Sequence, residues 1–96
     1  MAKEYKKRQE EIHKLVLDFE MKIKNDLDFY YDSESYEKIV KWYIDNHKFK
    51  VGLKAVEVAL LQHRFSSDLL IQRANIMIAL QKFSDALSSL EKAHSL

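Results

Sequence analysis

The residues of this chain that could perform acid–base or metal chemistry are four histidines and fifteen carboxylates. His13, His47, His63 and His94 are never three or four residues apart, so no two of them share a helix face as zinc ligands do in an HExxH motif. His47 and His63 fall at predicted helix ends, where the helix dipole favours an imidazolium. The histidines therefore predict surface or helix-end positions and no zinc site.

The carboxylates are densest over residues 25–37, which hold five acidic side chains and no basic one. Asp26, Asp28 and Asp32 offer part of a calcium-ligand set, but an EF-hand loop also needs a glycine at its sixth position and a final bidentate glutamate. The block precedes a predicted helix, whose positive dipole end stabilises carboxylates. Because the chain also lacks cysteine and any strained nucleophile turn, the sequence predicts no enzyme, no metal and no cofactor.

Five lysines lie over residues 38–54, with Trp42, Tyr43 and Phe49 interleaved among them. Basic and aromatic side chains together can bind single-stranded nucleic acid. The net charge is only +1, however, so no overall field attracts a polyanion. The competing interpretation places the lysines on the solvent face and Trp42 against a leading helix, and the repeat described below implies that Tyr43 and Phe49 lie in the core. A small helical bundle that binds nucleic acid through the Lys38–Lys54 patch is therefore an alternative and not the favoured function.

Helices must position these side chains, because the composition excludes most other architectures. The 96 residues contain one glycine and no proline, whereas average usage would give about seven and about five. Hairpin turns, phosphate loops and dinucleotide-binding turns all depend on such residues. No apolar run is long enough to span a membrane, and no apolar segment follows the basic start as in a signal peptide. The sequence predicts one all-α, cytoplasmic domain.

Apolar residues at helical spacing predict five helices, joined by connectors of about two to five residues. Start and stop residues place these helices over residues 4–24, from Asp32 or Ser33 to residues 46–47, over 49–62, from Ser66-Ser67-Asp68 onward, and from Ser84-Asp85 onward. The apolar line of the first helix comprises Ile12, Val16, Phe19, Ile23 and Leu27. The first ten residues have little apolar periodicity and are expected to fray. Tyr30 and Tyr31 are expected to fill the junction between the first two helices.

The strongest regularity appears when the sequence is shifted against itself so that Ser33 lies over Ser67. Seven identical pairs result: Ser33 with Ser67, Ile44 with Ile78, Lys48 with Lys82, Phe49 with Phe83, Leu53 with Leu87, Glu57 with Glu91, and Ala59 with Ala93. This shift equals the period of tetratricopeptide repeats, which is about 34 residues with two helices per unit. The same shift places Gly52 over Ala86, which predicts a glycine inside a helix at a point of close helix contact.

Residues 33–66 and 67–96 resemble two tetratricopeptide repeats, the second incomplete, and residues 1–32 form a leading amphipathic helix and junction. The slots that the family fills with large residues hold Tyr36, Tyr43, Phe49 and Val56, then Leu70, Met77, Phe83 and Leu90; its small slots hold Val40, Gly52 and Ala59, then Ala74, Ala86 and Ala93. Val40, Met77 and Arg64, where proline is frequent, depart from the pattern. The run from Tyr30 to Phe65 is similar to the amino-terminal part of bacterial tetratricopeptide proteins of the Bacteroidetes type. The resemblance implies a right-handed α-α superhelix.

The resemblance also implies a non-catalytic scaffold module for protein–protein interaction, because in this family the first helix of each pair lines a concave groove for peptides. The groove positions are Glu34, Glu37, Lys41 and Ile44 in the first unit and Asp68, Ile71, Asn75 and Ile78 in the second. The carboxylate clamp of heat-shock co-chaperones needs Lys and Asn where Glu37 and Lys41 stand, so that mode is not supported. The lining suits an amphipathic helix or an extended peptide. The leading helix could itself occupy part of the groove.

The end of the sequence raises a separate expectation. No polar capping helix follows the last predicted helix, although repeat proteins need one for solubility. This predicts an exposed apolar end face. It also predicts either that the chain is a fragment of a longer repeat protein, the favoured interpretation, or that it self-associates into an oligomer through that face. A purely structural homodimer is the remaining alternative.

Overall fold

The computed structural model describes residues 2–96, which form five α-helices and no strand. The helices are α1 (Ala2–Lys24), α2 (Ser33–Asp45), α3 (Phe49–Gln62), α4 (Ser67–Ala79) and α5 (Phe83–His94). The predicted all-α class is confirmed. α2 packs with α3 and α4 packs with α5, while α4 also packs on α2 and α3, and α1 packs on α2. None of these helices is both long enough and apolar enough to cross a membrane.

The two helix pairs repeat each other in the backbone. α2 and α4 have the same length and begin at Ser33 and Ser67, and α3 and α5 begin at Phe49 and Phe83, so both helices of the pair recur after the same interval. The Asp32 carboxylate caps α2 by accepting from the Ser35 amide at 2.7 Å, and Ser66 Oγ caps α4 by accepting from the Leu69 amide at 3.3 Å. Both caps lie where the sequence predicts them, because capping depends on local side-chain chemistry.

The turns inside the two pairs are also equivalent. His47 and Gln81, one period apart, both have left-handed backbones, with φ of 56° and 61°. In each turn the amide of this residue donates to the carbonyl three residues earlier, and the next amide donates to the carbonyl five residues earlier. These two bonds define a Schellman motif. The same motif ends α1 at Asp26, whose φ is 51°, so this turn ends three of the helices and is not confined to the two helix pairs.

Two predicted helix starts are wrong by one or two residues. α5 begins at Phe83 and not at Ser84-Asp85, because the Schellman turn leads directly into it; its cap residue Lys82 makes no side-chain cap bond. α1 begins at Ala2 and not near Glu4. Residues 2–11 of this helix are all exposed, so no neighbouring helix covers its first turns.

The main hydrophobic core lies where α1, α3 and α4 meet α2. Its buried members are Val16 and Phe19 of α1, Tyr36, Ile39, Val40 and Tyr43 of α2, Ala55, Val56 and Ala59 of α3, and Leu69 and Ile76 of α4. A smaller cluster of Ala74, Met77 and Ala86 joins α4 to α5. Ile23 and Leu27, expected on the buried line of the first helix, are instead 47% and 48% exposed. Ile23 faces an open groove, and Leu27 lies beyond the end of α1.

The outer side of α5 forms the exposed apolar end face that the sequence predicts. Phe83 is 63% exposed, Leu87 57% and Leu90 41%. One period earlier, Leu53 packs against the cluster between α4 and α5, and Val56 is fully buried. The difference arises because α4 covers α3, whereas no helix of residues 2–96 covers α5 in the same way.

The junction at residues 25–32 is attached to the end of α3 through Gln62. Its Oε1 accepts from Tyr36 Oη at 2.7 Å, and its Nε2 donates to the Phe29 carbonyl at 3.0 Å. His63 Nε2 donates to the Tyr31 carbonyl at 2.7 Å. Side chains at the end of α3 therefore satisfy backbone groups of a segment that has no regular structure.

Tyr31 fills the junction as predicted, and Tyr30 does not. The Tyr31 hydroxyl donates to Asp18, and Lys22 pairs with the same carboxylate at 2.9 Å. The Tyr31 hydrogen bond, followed by that from Lys22, lowers the pKa of Asp18. Tyr30 is 67% exposed, and its ring lies beside the His63 ring, with centroids 5.3 Å apart. Adjacent residues of an extended segment point to opposite sides, so only one of the two tyrosines can face α1.

Candidate functional site

The eight predicted groove residues lie on the neighbouring helices α2 and α4 and together form one surface, the α2–α4 face. On each helix they recur at i, i+3, i+7 and i+10, a spacing that keeps them on one side. All eight are exposed or half-buried, the four on α2 being Glu34, Glu37, Lys41 and Ile44 and the four on α4 being Asp68, Ile71, Asn75 and Ile78. Gln72 ties the helices together by donating to the Glu37 carbonyl at 2.9 Å. The structure therefore places α2 and α4 side by side with these residues outward.

Two of the charges on this face are neutralised within α2. Lys41 pairs with Asp45 at 2.8 Å, and Glu34 lies 3.7 Å from Lys38. Both pairs are exposed i, i+4 contacts, which contribute little to stability. They nevertheless leave no unbalanced charge at the Lys41 end of the face.

Glu37 and Asp68 form the unbalanced part of the face. Their carboxyl groups are close enough to interact across α2 and α4, and neither has an ion-pair partner in residues 2–96. Burial raises the pKa of Glu37, and the Asp68 side chain raises it further. A cation placed beside this pair would relieve both effects.

The α2–α4 face also carries exposed apolar surface. Ile71 is 43% exposed and Ile78 is 47% exposed, and they lie two turns apart on α4 with Asn75 between them. Ile44 on α2 is half-buried and packs against the main core. The face therefore combines an anionic site with an apolar strip. Together these can bind a basic side chain and an apolar side chain.

Replacing Glu37 by glutamine is expected to stabilise the fold at neutral pH by less than about 1 kcal/mol, because water screens a pair of this exposure. The gain in stability is expected because the pKa of Glu37 is raised in the folded state, which therefore keeps the proton to a higher pH than the unfolded state does. As the pH rises past the ordinary pKa of 4.5, ionisation of Glu37 lowers the free energy of unfolding, and glutamine avoids this loss. Urea unfolding of both proteins at neutral pH and below that value measures the difference. Glu34→Gln, which loses a pairing with Lys38, is the matched control and should give no gain. An equal gain for Glu37→Gln at both pH values would contradict the assignment.

The leading helix does not lie across the α2–α4 face. α1 packs against α2 and, within residues 2–96, not against α4. The His13 ring stacks on Trp42 with centroids 5.7 Å apart, which confirms the predicted position of Trp42 against the leading helix. The leading helix therefore leaves the α4 half of the face open.

The aromatic residues of the Lys38–Lys54 patch are engaged in packing. Tyr43 is buried, Phe49 is half-buried, and Trp42 lies between His13 and Lys48, whose Nζ is 5.3 Å from the indole ring. A stacking platform for nucleobases needs an accessible ring face. The geometry of this patch thus favours a packing role for its aromatic side chains.

A groove that the sequence did not predict opens between α1 and α3, with a volume of about 710 Å³. α1 contributes Phe19, Glu20, Ile23 and Lys24, α2 contributes Tyr43, and α3 contributes residues from Val51 to Val58. The available signal was the α3 stripe of Val51, Lys54, Ala55 and Val58 at i, i+3, i+4 and i+7. Leu53 also lines the groove, and it packs in addition against the cluster between α4 and α5.

In the described part of the chain, no group of three or more His, Asp or Glu side chains converges in a way that could hold a metal ion. Comparison with protein-family models, with curated proteins and with solved structures finds no match for this chain.

Proposed function

We propose that this chain is a non-catalytic protein–protein interaction module of the tetratricopeptide-repeat type, which binds a peptide segment of its partner on the α2–α4 face. The observation that carries the proposal is the recurrence of helix starts, caps and left-handed turns after one constant interval. A single helix pair cannot bury both of its faces, so such pairs stack. α4 packing on both α2 and α3 is the contact that stacking requires.

The α2–α4 face favours a peptide with a basic residue next to apolar ones. The carboxylates of Glu37 and Asp68 lack a cation, and a lysine or arginine of the partner would provide one. Ile71 and Ile78, both partly exposed, would take apolar side chains of the same peptide. An extended peptide or an amphipathic helix can present both kinds of side chain along one edge.

The apolar end face on α5 belongs to the same proposal. Phe83, Leu87 and Leu90 form a contact surface for a further helix pair or for a second copy of the chain. Part of the proposed scaffold role is therefore self-association, in addition to peptide binding at the α2–α4 face.

Asp68→Asn and Asn75→Ala should each weaken peptide binding by about fivefold or more, because the first removes a carboxylate that a basic residue of the peptide would meet and the second removes a polar contact between Ile71 and Ile78. Both side chains are exposed, so neither change should lower the melting temperature. Peptides selected from a displayed random library on the purified chain provide the ligand, and fluorescence anisotropy measures their affinity. Asp85→Asn is the matched control, because Asp85 is an exposed aspartate in the first turn of α5, away from the α2–α4 face.

Unchanged affinity in both variants would remove the α2–α4 face as the binding site. Binding of single-stranded RNA at low salt that is lost on reversal of the lysines between residues 38 and 54 would favour the nucleic-acid alternative instead. Selection of peptides with acidic residues in place of basic ones would contradict the role of Glu37 and Asp68.

A further inference from the structure

The α1–α3 groove is a trough formed by three helices. Its walls are α1, with Phe19 and Ile23, and α3, with Val51 and Val58, and Tyr43 of α2 lies at its floor. α1 and α3 both pack near α2 but not on each other within residues 2–96. Two helices flanking a third, with an apolar channel between them, present the ridges on which another helix packs.

The corresponding space one period later is filled from within the chain. Between α3 and α5, Arg73 extends from α4 and donates to Glu57 at 3.2 Å and to Ser89 at 2.6 Å. The residue one period before Arg73 is Ile39, which is fully buried and reaches neither wall with a polar group. The remaining cavity there is about 170 Å³, against about 710 Å³ in the α1–α3 groove.

The floor of the groove contains a buried polar atom without a partner. Tyr43 is 1% exposed, and its hydroxyl makes no hydrogen bond in the structure. The Glu20 carboxylate on the α1 rim lies beside it: burial first, and then the charge and the hydrogen-bonding capacity of Glu20, raise the pKa of Tyr43. Buried hydroxyl groups are almost always hydrogen-bonded, so the Tyr43 hydroxyl has a donor to offer either to Glu20 or to a polar group of an occupant of the groove.

Among the rim side chains that make no ion pair in residues 2–96, the two lysines Lys24 and Lys54 outnumber the one carboxylate, Glu20. Lys24 on α1 and Lys54 on α3 line opposite sides, and neither makes an ion pair in residues 2–96. Of the two rim carboxylates, Glu57 is paired with Arg73 and Glu20 lies beside Tyr43. An occupant with carboxylates on both flanks of an apolar strip would therefore match the groove in charge.

We propose that the α1–α3 groove binds an amphipathic helix of a partner protein, whose apolar residues at i, i+4 and i+7 enter the channel and whose flanking carboxylates pair with Lys24 and Lys54. The α3 wall from Val51 to Val58 is about 10 Å long at 1.5 Å per residue, which matches two turns of a helix. This surface lies on α1 and α3 and not on the α2–α4 face, so it goes beyond the function proposed above and stands or falls independently of it.

The test uses a labelled alanine-based helical peptide with leucine at i, i+4 and i+7 and glutamate on both flanks. Fluorescence anisotropy with the full chain should show saturable binding with one peptide per chain. The double variant Lys24→Glu/Lys54→Glu should bind about tenfold more weakly. Lys14→Glu/Lys50→Glu is the matched control, because it makes the same charge change at exposed positions of the same two helices outside the groove.

A second pair of variants tests the apolar channel without relying on charge. Ile23→Asp and Val51→Asp alter side chains that are 47% and 46% exposed, so both proteins should keep the circular dichroism and melting temperature of the wild type. Each should reduce peptide binding at least about fivefold. Lys41→Glu, on the α2–α4 face, should leave this binding unchanged.

The proposal is overturned by any of four results. The first two are the absence of saturable binding and an equal affinity of the chain for the same peptide with lysine flanks. The other two are an equal peptide affinity of Lys24→Glu/Lys54→Glu and Lys14→Glu/Lys50→Glu, and displacement of the peptide by a second copy of the chain. Saturable binding of dodecanoate that competes with the peptide and survives Lys24→Glu/Lys54→Glu would identify the groove as an acyl-chain site and would also overturn it.

Discussion

Replacing Gly52 by leucine is expected to destabilise the fold by about 1–3 kcal/mol or more. Gly52 is buried in α3, and a Cβ added there would lie 3.1 Å from Tyr43 Cβ and 3.4 Å from Ile76 Cδ1. Tyr43 Cβ is attached directly to the backbone of α2, so it cannot move aside as the end of a flexible side chain can. The leucine branch would therefore push α2 and α3 apart at the centre of the main core.

Two smaller changes separate overpacking from other effects. Gly52→Ala adds only the Cβ, and the helix propensity gained, about 1 kcal/mol, offsets much of the tight contact. Val51→Leu introduces the same side chain one residue earlier, where 46% of the native residue is exposed, and should be close to neutral. Urea unfolding of the three variants gives the free energies. A Gly52→Leu protein as stable as Val51→Leu would contradict close contact between α2 and α3.

Replacing Gln62 by leucine is expected to cost about 2–3 kcal/mol, although the two residues are similar in size. Tyr36 is fully buried, and its hydroxyl donates to Gln62 Oε1 at 2.7 Å. Burial raises the pKa of Tyr36 to about 12, so this hydroxyl stays protonated and needs an acceptor. The variant would leave it without one and would also release the Phe29 carbonyl and the Tyr31 amide of the junction.

A double-mutant cycle isolates this contribution. Adding Tyr36→Phe to Gln62→Leu removes both partners, which should recover part of the loss, so the two single effects should not add. Leu61→Ala is the control, because Leu61 is next to Gln62 and 79% exposed. Amide exchange at Tyr31 should accelerate in Gln62→Leu and not in Leu61→Ala. Additive effects with unchanged exchange would show that Gln62 does not hold the junction.

Local features of the sequence were sufficient for most of the helix bounds. Asp32 and Ser66 cap α2 and α4 because a side-chain oxygen next to the first turn satisfies a free amide whatever the rest of the fold does. The start of α5 at Phe83 is different, because the preceding turn is set by the left-handed backbone of Gln81 and no side chain caps the helix.

The junction and the first helix were harder to predict. Periodicity placed Ile23 on the buried line of α1, but burial depends on whether another helix covers that line, and here a groove faces it. Tyr30 and Tyr31 are equivalent by residue type, and only the path of the segment between α1 and α2 decides which one packs inward.

The candidate sites also contain some features that depend on one helix and others that depend on how the helices pack. The spacing of Glu34, Glu37, Lys41 and Ile44 was enough to place them on one side of one helix. That Glu37 meets Asp68 depends on how α2 and α4 pack, since the whole of α3 separates the two residues in the sequence. The same is true of the α1–α3 groove, whose walls come from helices that do not follow one another.

The amino-acid sequence by itself determined the all-α class, the interval at which the helix pairs recur and the slot of its one glycine, Gly52, because each of these depends on residue types and on spacing within one or two helices. Only the tertiary structure decided that the charge of Glu37 is left unbalanced, that Tyr43 has no hydrogen-bond partner, and that a groove separates α1 from α3. These features depend on distances between segments that are far apart in the chain, and side-chain periodicity along one helix contains no information about such distances.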